Sequence, residues 1–407
     1  MLTGMKKLFG KDVLEVWASI GFLVLLCGAW VLPNNKLYHQ MIIFLLWLPA
    51  VLALFHRDFR LMLKQPECLL FAIFVAWTLL VLMVEGGDNI FGKSKVTLYV
   101  TLTLLGVLLA AQNRKWRFES MLLYASIMGG FFAAASWVYF YDVSAQPFSG
   151  RLIAIGLWDT AIMAAHAVGA LLILGVFTLQ TKRFNPWAMV LLLIPALGYA
   201  LFLGFSQTRG VWIGLLACLF VMGVARPSRM AGGLIFLVVL GLASIAVFKP
   251  EILLQRGVSF RPELWNGGVR LMLDHWMMGL GFHEYLIPVP EIGQAFKHPH
   301  NLFLDIGVRL GVPGLLLFGW LWLAAGWRGW ISRAQPLGQV LLALWVFSGA
   351  SLMTDGIGLW LKPNADWLIT WLPIALSIVL ATRGSNETKD SVWSVSTPDA
   401  PGPEAKC

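Results

Sequence analysis

The chain has 407 residues, 58% of them hydrophobic and 13% charged, with a net charge of +9 and a mean hydropathy of +0.76. Too few polar side chains are present to cover a soluble domain, so the composition excludes one. The positive balance does not point to nucleic acid, because no basic face interleaved with aromatics is present and most lysines and arginines sit in short loops between apolar runs.

A crossing helix needs about 20 apolar residues for about 30 Å of hydrocarbon, and about twelve runs meet that criterion. They fall near 14–32, 39–55, 67–84, 95–112, 119–141, 158–180, 186–206, 210–225, 230–248, 312–330, 337–356 and 365–382. The expected fold is all-α, a polytopic membrane protein embedded in lipid. Pro33-Asn34-Asn35, Gly86-Gly87-Asp88, Asn185-Pro186, Arg226-Pro227 and Lys362-Pro363-Asn364 separate the runs with turn chemistry. Alternate loops carry Lys6, Lys7 and Lys11; Arg57, Arg60 and Lys64; Arg114, Lys115 and Arg117; Lys182 and Arg183; Arg226 and Arg229; and Arg328 and Arg333, with Arg383 in the tail. The positive-inside bias puts these loops and both termini in the cytoplasm.

The apolar start after Lys6 and Lys7 is expected to remain as an uncleaved first helix. Cys27, Cys68, Cys218 and Cys407 show neither a disulfide framework nor a metal spacing. The membrane domain is expected over 1–383. Residues 384–407, rich in Ser, Thr, Pro and Glu, are expected to form a disordered cytoplasmic tail.

One connection breaks the rhythm. Residues 249–311 are expected to form an outward loop of about sixty residues without a full span, on the side opposite the cytoplasmic lysines, and a connection of that length is usually functional. Pro262 is suited to open a helix in it, and Leu264, Val269, Met272, Leu273 and Trp276 recur at helical spacing. A loop of this kind is suited to act as a lid.

Cations gather on this outer side against the topological bias: Arg209 between two spans, Arg256, Arg261 and Arg270 in the loop, Arg151 in the preceding outer loop, and Arg309 in the stretch Lys297–Gly314. A guanidinium matches phosphate oxygens and stays charged when partly desolvated, so the cluster suggests an anionic ligand such as a lipid diphosphate. For Arg151 and Arg270 the alternative is snorkelling or pairing with Asp142 or Asp274; Arg256 also fits a solvated loop charge. The stretch Lys297–Gly314 adds His298, His300, Asn301 and Asp305. Imidazole takes a proton near neutral pH, so His300 reads as a general base or as a hydrogen-bonded helix cap, and His298 as structural or substrate-contacting. Trp265, Trp276 and Phe282 read as interfacial anchors or sugar contacts.

His300-Asn301, a nine-residue gap and Gly311-Val312-Pro313-Gly314 resemble the signature of bacterial O-antigen ligases. Arg261-Pro262-Glu263-Leu264-Trp265 resembles the Arg-x-x-x-Trp that opens the large periplasmic loop in the ligase and polymerase superfamily. Gly279-Leu280-Gly281 resembles its Gly-x-Gly, and Ser206 to Gly210 its Ser/Thr-Arg element. Trp276-Met277-Met278 stands where many members have a proline.

The resemblance implies a membrane-embedded, GT-C-like glycosyltransferase of the inner membrane, with its active site facing the periplasm and a role in lipopolysaccharide biosynthesis. The donor would be undecaprenyl diphosphate-linked O-antigen and the acceptor the lipid A core, with membrane lipids as surroundings and no metal or cofactor. Catalytic roles are expected for His300, Arg209 and Arg261, and substrate contacts for Arg151, Arg270, His298, Asn301, Arg309 and Trp265. The nearest alternatives are an O-antigen polymerase and a protein O-oligosaccharyltransferase. A lipid-linked sugar transporter is the alternative from another class, opposed by the lack of internal repeats and of midspan charges.

Overall fold

The computed structural model describes residues 10–179, 182, 184–227, 232, 260–356, 358–364 and 366–395, with side chains to Gly384. Helices α1 (Lys11–Val31), α2 (Asn35–Ile42), α3 (Leu48–Ala53), α4 (Arg57–Met62), α5 (Pro66–Val84), α6 (Ile90–Ala110) and α7 (Phe118–Val138) come first. Then follow α8 (Ala161–Leu179), α9 (Pro186–Phe205), α10 (Arg209–Ala225), α11 (Arg261–Asp274), α12 (Leu302–Ile331), α13 (Pro336–Asp355) and α14 (Trp367–Val395). A π-turn at Ile43–Trp47 joins α2 and α3 into one span, and another at Tyr139–Val143 extends α7.

Ten helices are long and apolar enough to cross a membrane, with α10 a shorter apolar eleventh. The chain is a multi-pass membrane protein. The expected run at 230–248, the start of the long loop and Arg256 lie outside the described residues.

Local sequence explains the helix starts. Asn34 accepts from Leu37 N at 2.8 Å and Asn185 from Ala188 N at 2.7 Å, each satisfying an N-terminal donor. Pro66, Pro186 and Pro336 occupy first-turn positions, where their missing N–H has no intrahelical partner to lose. The core lies around α8, α13 and α14: 89% of the α14 window is buried inside the protein, against 28% for α9 at the periphery. A helix apolar all round fits either place, the first against protein and the second against lipid.

A second, smaller core lies outside the bundle. Leu264 of α11, Tyr285, Ile287 and Val289 pack on Val308 of α12. Ile287–Val289 (β1) pairs antiparallel with Gln294–Phe296 (β2) as a short hairpin. Three-residue strands are too short for alternation to register in a sequence, so the hairpin was not anticipated.

Helix α12 is broken at Gly311, whose backbone is left-handed at φ 69°. The peptide groups freed there are met by other segments: Leu280 N donates to Val308 O at 2.8 Å, Trp77 Nε1 to Leu310 O at 2.9 Å, and Val312 N to Trp276 O at 2.7 Å. In lipid such groups must be satisfied internally. The Gly-rich motif around Gly311 thus has a structural task, which is to let the 276–280 segment cross the helix.

Two boundaries differ from expectation. Residues 302–310, assigned to the loop, are helical and run into the apolar stretch across the break. Helix α14 continues to Val395, where a disordered tail from 384 was expected; a formed helix gains one hydrogen bond for each residue it adds, so polar residues can extend it. Residues 396–407 lie outside the described residues.

Candidate active site

The C-terminal end of α13 is the hub of the site. Asp355 ends that helix with its side chain 5% exposed, and Arg261, first residue of α11, donates to it from Nη2 at 2.6 Å. Arg261 Nε also donates to Thr354 O at 2.7 Å. A β-carbon at Gly210, second residue of α10, would stand 2.8 Å from Asp355 Oδ2. One at Gly356 would stand 2.6 Å from Leu302 Cβ at the start of α12. The N-terminal ends of α10 and α11 therefore meet at the Asp355 carboxylate, and the start of α12 packs against the glycine that follows it.

Each helix start carries free N–H groups and about half a positive charge, which favours an anion. Three of them, with Arg209 and Arg261, give a positive region that the single Asp355 only partly offsets. Arg209 is half-buried and forms no hydrogen bond or ion pair among the described residues.

His300 lies just ahead of α12. Its backbone is left-handed at φ 53°, unusual for a side chain with a β-carbon and found where the surrounding structure fixes a strained position. The turn aims it at the same region. Burial, His298 beside it and Arg261 hold His300 down at about 4, partly countered by Asp355. The imidazole is therefore neutral at physiological pH, with a lone pair available to accept a proton. The His298 and His300 rings are 4.1 Å apart, nearly edge to face. Burial lowers His298 also, opposed by Asp305 and assisted by Arg309, and its Nδ1 is buried without a partner among the described residues.

Arg309 belongs to a neighbouring network. Its Nε donates to both oxygens of Asp305 at 3.1 Å, and its guanidinium lies 5.0 Å from the Tyr285 ring centroid. Tyr285 Oη donates to Asp305 at 2.6 Å; burial, then Asp305, pushes this phenol up, so it stays a neutral donor. Asp305 thereby engages Arg309 and ties β1 to α12.

The remaining expected residues separate by position. Arg151 Nε donates to Ser206 O and its Nη2 to Thr208 Oγ1, both at 3.1 Å, bracing the turn that presents Arg209. Asn301 caps α12 by accepting from Leu304 N at 3.2 Å. Trp265 lies one turn after Arg261 on the same face of α11, with Nε1 buried and without a partner among the described residues. Arg270 is about two and a half turns beyond Arg261 and so on the opposite face; it is exposed and has no ion pair among the described residues. Sequence reasoning missed Asp355. The available signal was a carboxylate followed by glycine at the outer end of an apolar run, a costly residue for such a place.

Among the described residues no group of three or more His, Cys, Asp or Glu side chains is placed to hold a metal ion. The family model described as O-antigen ligase matches residues 194–319, a range that includes Arg209, Arg261, His298 and His300. A curated O-antigen ligase of Pseudomonas aeruginosa is 28% identical over 378 residues, covering 90% of this chain and 92% of that protein. The chain is thus similar to O-antigen ligases, through the model match on the site-bearing region and through a relative aligned over nearly its whole length.

Proposed function

We propose that the chain acts in O-antigen and lipopolysaccharide assembly as a glycosyltransferase. It moves O-antigen polysaccharide from undecaprenyl diphosphate to a sugar of the lipid A core, at the periplasmic face of the inner membrane. The observation that carries this reading is the meeting of three helix starts, two guanidinium-bearing residues and a neutral imidazole around the end of α13. The positive-inside pattern of the loops supports the orientation.

In this reading the diphosphate sits against Arg209, Arg261 and the helix starts, where developing charge on the leaving group is stabilised. The acceptor hydroxyl oxygen attacks the anomeric carbon from the face opposite the diphosphate. The bond from that carbon to the diphosphate oxygen breaks with its electron pair leaving on the oxygen, and the hydroxyl proton passes to His300. Configuration at the anomeric carbon inverts. The negative diphosphate also raises the basicity of His300 from its low resting value, so the base strengthens when donor is bound. Charge stabilisation is assigned to guanidiniums rather than a metal ion.

The test is a reconstitution of purified protein with undecaprenyl diphosphate-linked glycan and, in separate reactions, lipid A core, a second lipid-linked glycan, or a Ser/Thr-bearing acceptor protein. Transfer to lipid A core that survives chelator supports the reading. Exclusive transfer to the second glycan or to protein replaces the acceptor, and chelator-sensitive turnover restored by a divalent cation overturns the metal-independent step. Vesicle counterflow of lipid-linked sugar with no joined product identifies a transporter instead.

A further inference from the structure

A pocket of about 830 Å³ lies apart from the His300 cluster and shares no residue with it. Its walls come from the start of α2 (Asn35, Lys36, His39, Gln40), from Tyr99 of α6, from residues 157–163, and from Leu361–Asn364. That size is in the usual range for small-molecule sites, roughly 300–1,000 Å³. The segment that leaves Asp355 through Gly356 reaches the pocket at Leu361, so both sites open at the same end of the bundle.

The rim is built rather than incidental. His166 Nδ1 and Asp366 Oδ1, both buried, lie 3.1 Å apart and anchor the base of the 361–364 segment. Asn364 Oδ1 accepts from Asp366 N at 3.1 Å and its backbone carbonyl from Trp367 N at 3.1 Å, which fixes the turn carrying Lys362. Across the pocket the Tyr99 ring is stacked on Trp47 with centroids 4.6 Å apart, and His39 packs edge-on to both. Lys36, Lys362 and Asp159 face this space, all exposed and without an ion pair among the described residues.

These groups select a ligand. Two ammonium groups against one carboxylate favour an anion. Aromatic rings offer apolar faces for the C–H face of a sugar, and Asp159, Asn35, Gln40 and Thr160 offer acceptors and donors for hydroxyls. A phospholipid headgroup uses the cations but leaves the hydroxyl partners idle. We propose that this pocket is a binding site for a phosphorylated saccharide. The proposal stands on the pocket and does not depend on the role given to His300.

The test is saturation-transfer NMR on the purified full-length protein in detergent, with glucose 6-phosphate as probe. Expected are a clear signal from the sugar protons, a much weaker one from glucose, and only partial displacement by inorganic phosphate or glycerol 3-phosphate at equal concentration. The double variant Lys36→Gln/Lys362→Gln should bind about tenfold more weakly, a factor corresponding to about 1.4 kcal/mol. Asp159→Ala should weaken binding too, and both variants alter exposed side chains. His300→Ala should bind as the wild type does. Absence of signal, equal signals from glucose, full displacement by phosphate (a bare anion site) or by glycerol 3-phosphate (a lipid headgroup site), undiminished binding in the variants, or loss in His300→Ala would each overturn the proposal.

Discussion

The two ends of the helix bundle treat charge differently. At the end away from His300, Arg328 donates to Glu67 at 2.8 Å and Arg383 pairs with Glu119, so each cation joins two helices and is neutralised. At the His300 end, Arg209 has no partner among the described residues, and buried polar atoms of His298 and Trp265 are likewise unmet. Native proteins rarely leave buried polar groups unsatisfied, yet Glu67 Oε2 at the far end and Ser348, Ser351 and Ser377 within the bundle are also unmet among the described residues, so unmet atoms alone do not mark the site. Paired charges brace helices at both ends, Arg261 with Asp355 and Arg309 with Asp305 among them, and Arg209 stands apart from these pairs.

Substitutions can break that contrast. The largest expected effect is His300→Ala, which should lower transfer by about 10²–10⁴-fold, the usual contribution of a general base, with unchanged thermal unfolding. Arg209→Ala should cost about 10²–10³-fold. Arg209→Lys should rescue little of it, since a forked contact becomes a point charge. Arg328→Ala at the other end should do the reverse. It leaves Glu67 buried and uncompensated, destabilising by up to about 3 kcal/mol in denaturation while turnover per folded molecule holds. Wild-type turnover in both site variants would erase the distinction between the ends.

Smaller effects sharpen it. Because His300 rests near 4, the acid limb of kcat/KM, which reports the free enzyme, should lie well below the ordinary histidine value of about 6.5. The sign is fixed by burial: a lowered value keeps the base unprotonated until the medium is distinctly acidic. Asp355 raises His300, so Asp355→Asn should move that limb lower still in a pH series. Gly311→Ala puts a β-carbon on a left-handed residue against the Met277 backbone. It should destabilise by about 1–3 kcal/mol, read as a lower Tm.

Much of this was legible in the sequence, for reasons that differ by region. Apolar runs declare membrane helices, and eleven of those expected have counterparts among the described helices. Arg209, Arg261 and His300 stood out because cations there run against the expected positive-inside bias and because their motifs resemble a family; in the structure Arg261, His300 and Gly210, the residue after Arg209, lie around Asp355. Asp355 hid because a lone acid at the end of a hydrophobic run looks like a boundary. Arg151 and Asn301 were expected against substrate; in the structure Arg151 donates to the Ser206–Thr208 turn and Asn301 caps α12, contacts that need coordinates to see. The interruption at Gly311 was hidden because the span was expected to begin only at 312, with the helical residues 302–310 assigned to the loop.

That interruption has a mechanical consequence. The backbone of the 276–280 segment is stitched to both sides of the break, and the small outer core includes Val308 from the near half of α12. The hairpin, α11 and the stretch that begins with His300 therefore form one cap that shares a packed core and is tied to the bundle through Arg261 and the α12 break. Any tilt of that cap carries the imidazole and Trp265 together, so opening a path for a bulky glycan would withdraw the base in the same stroke.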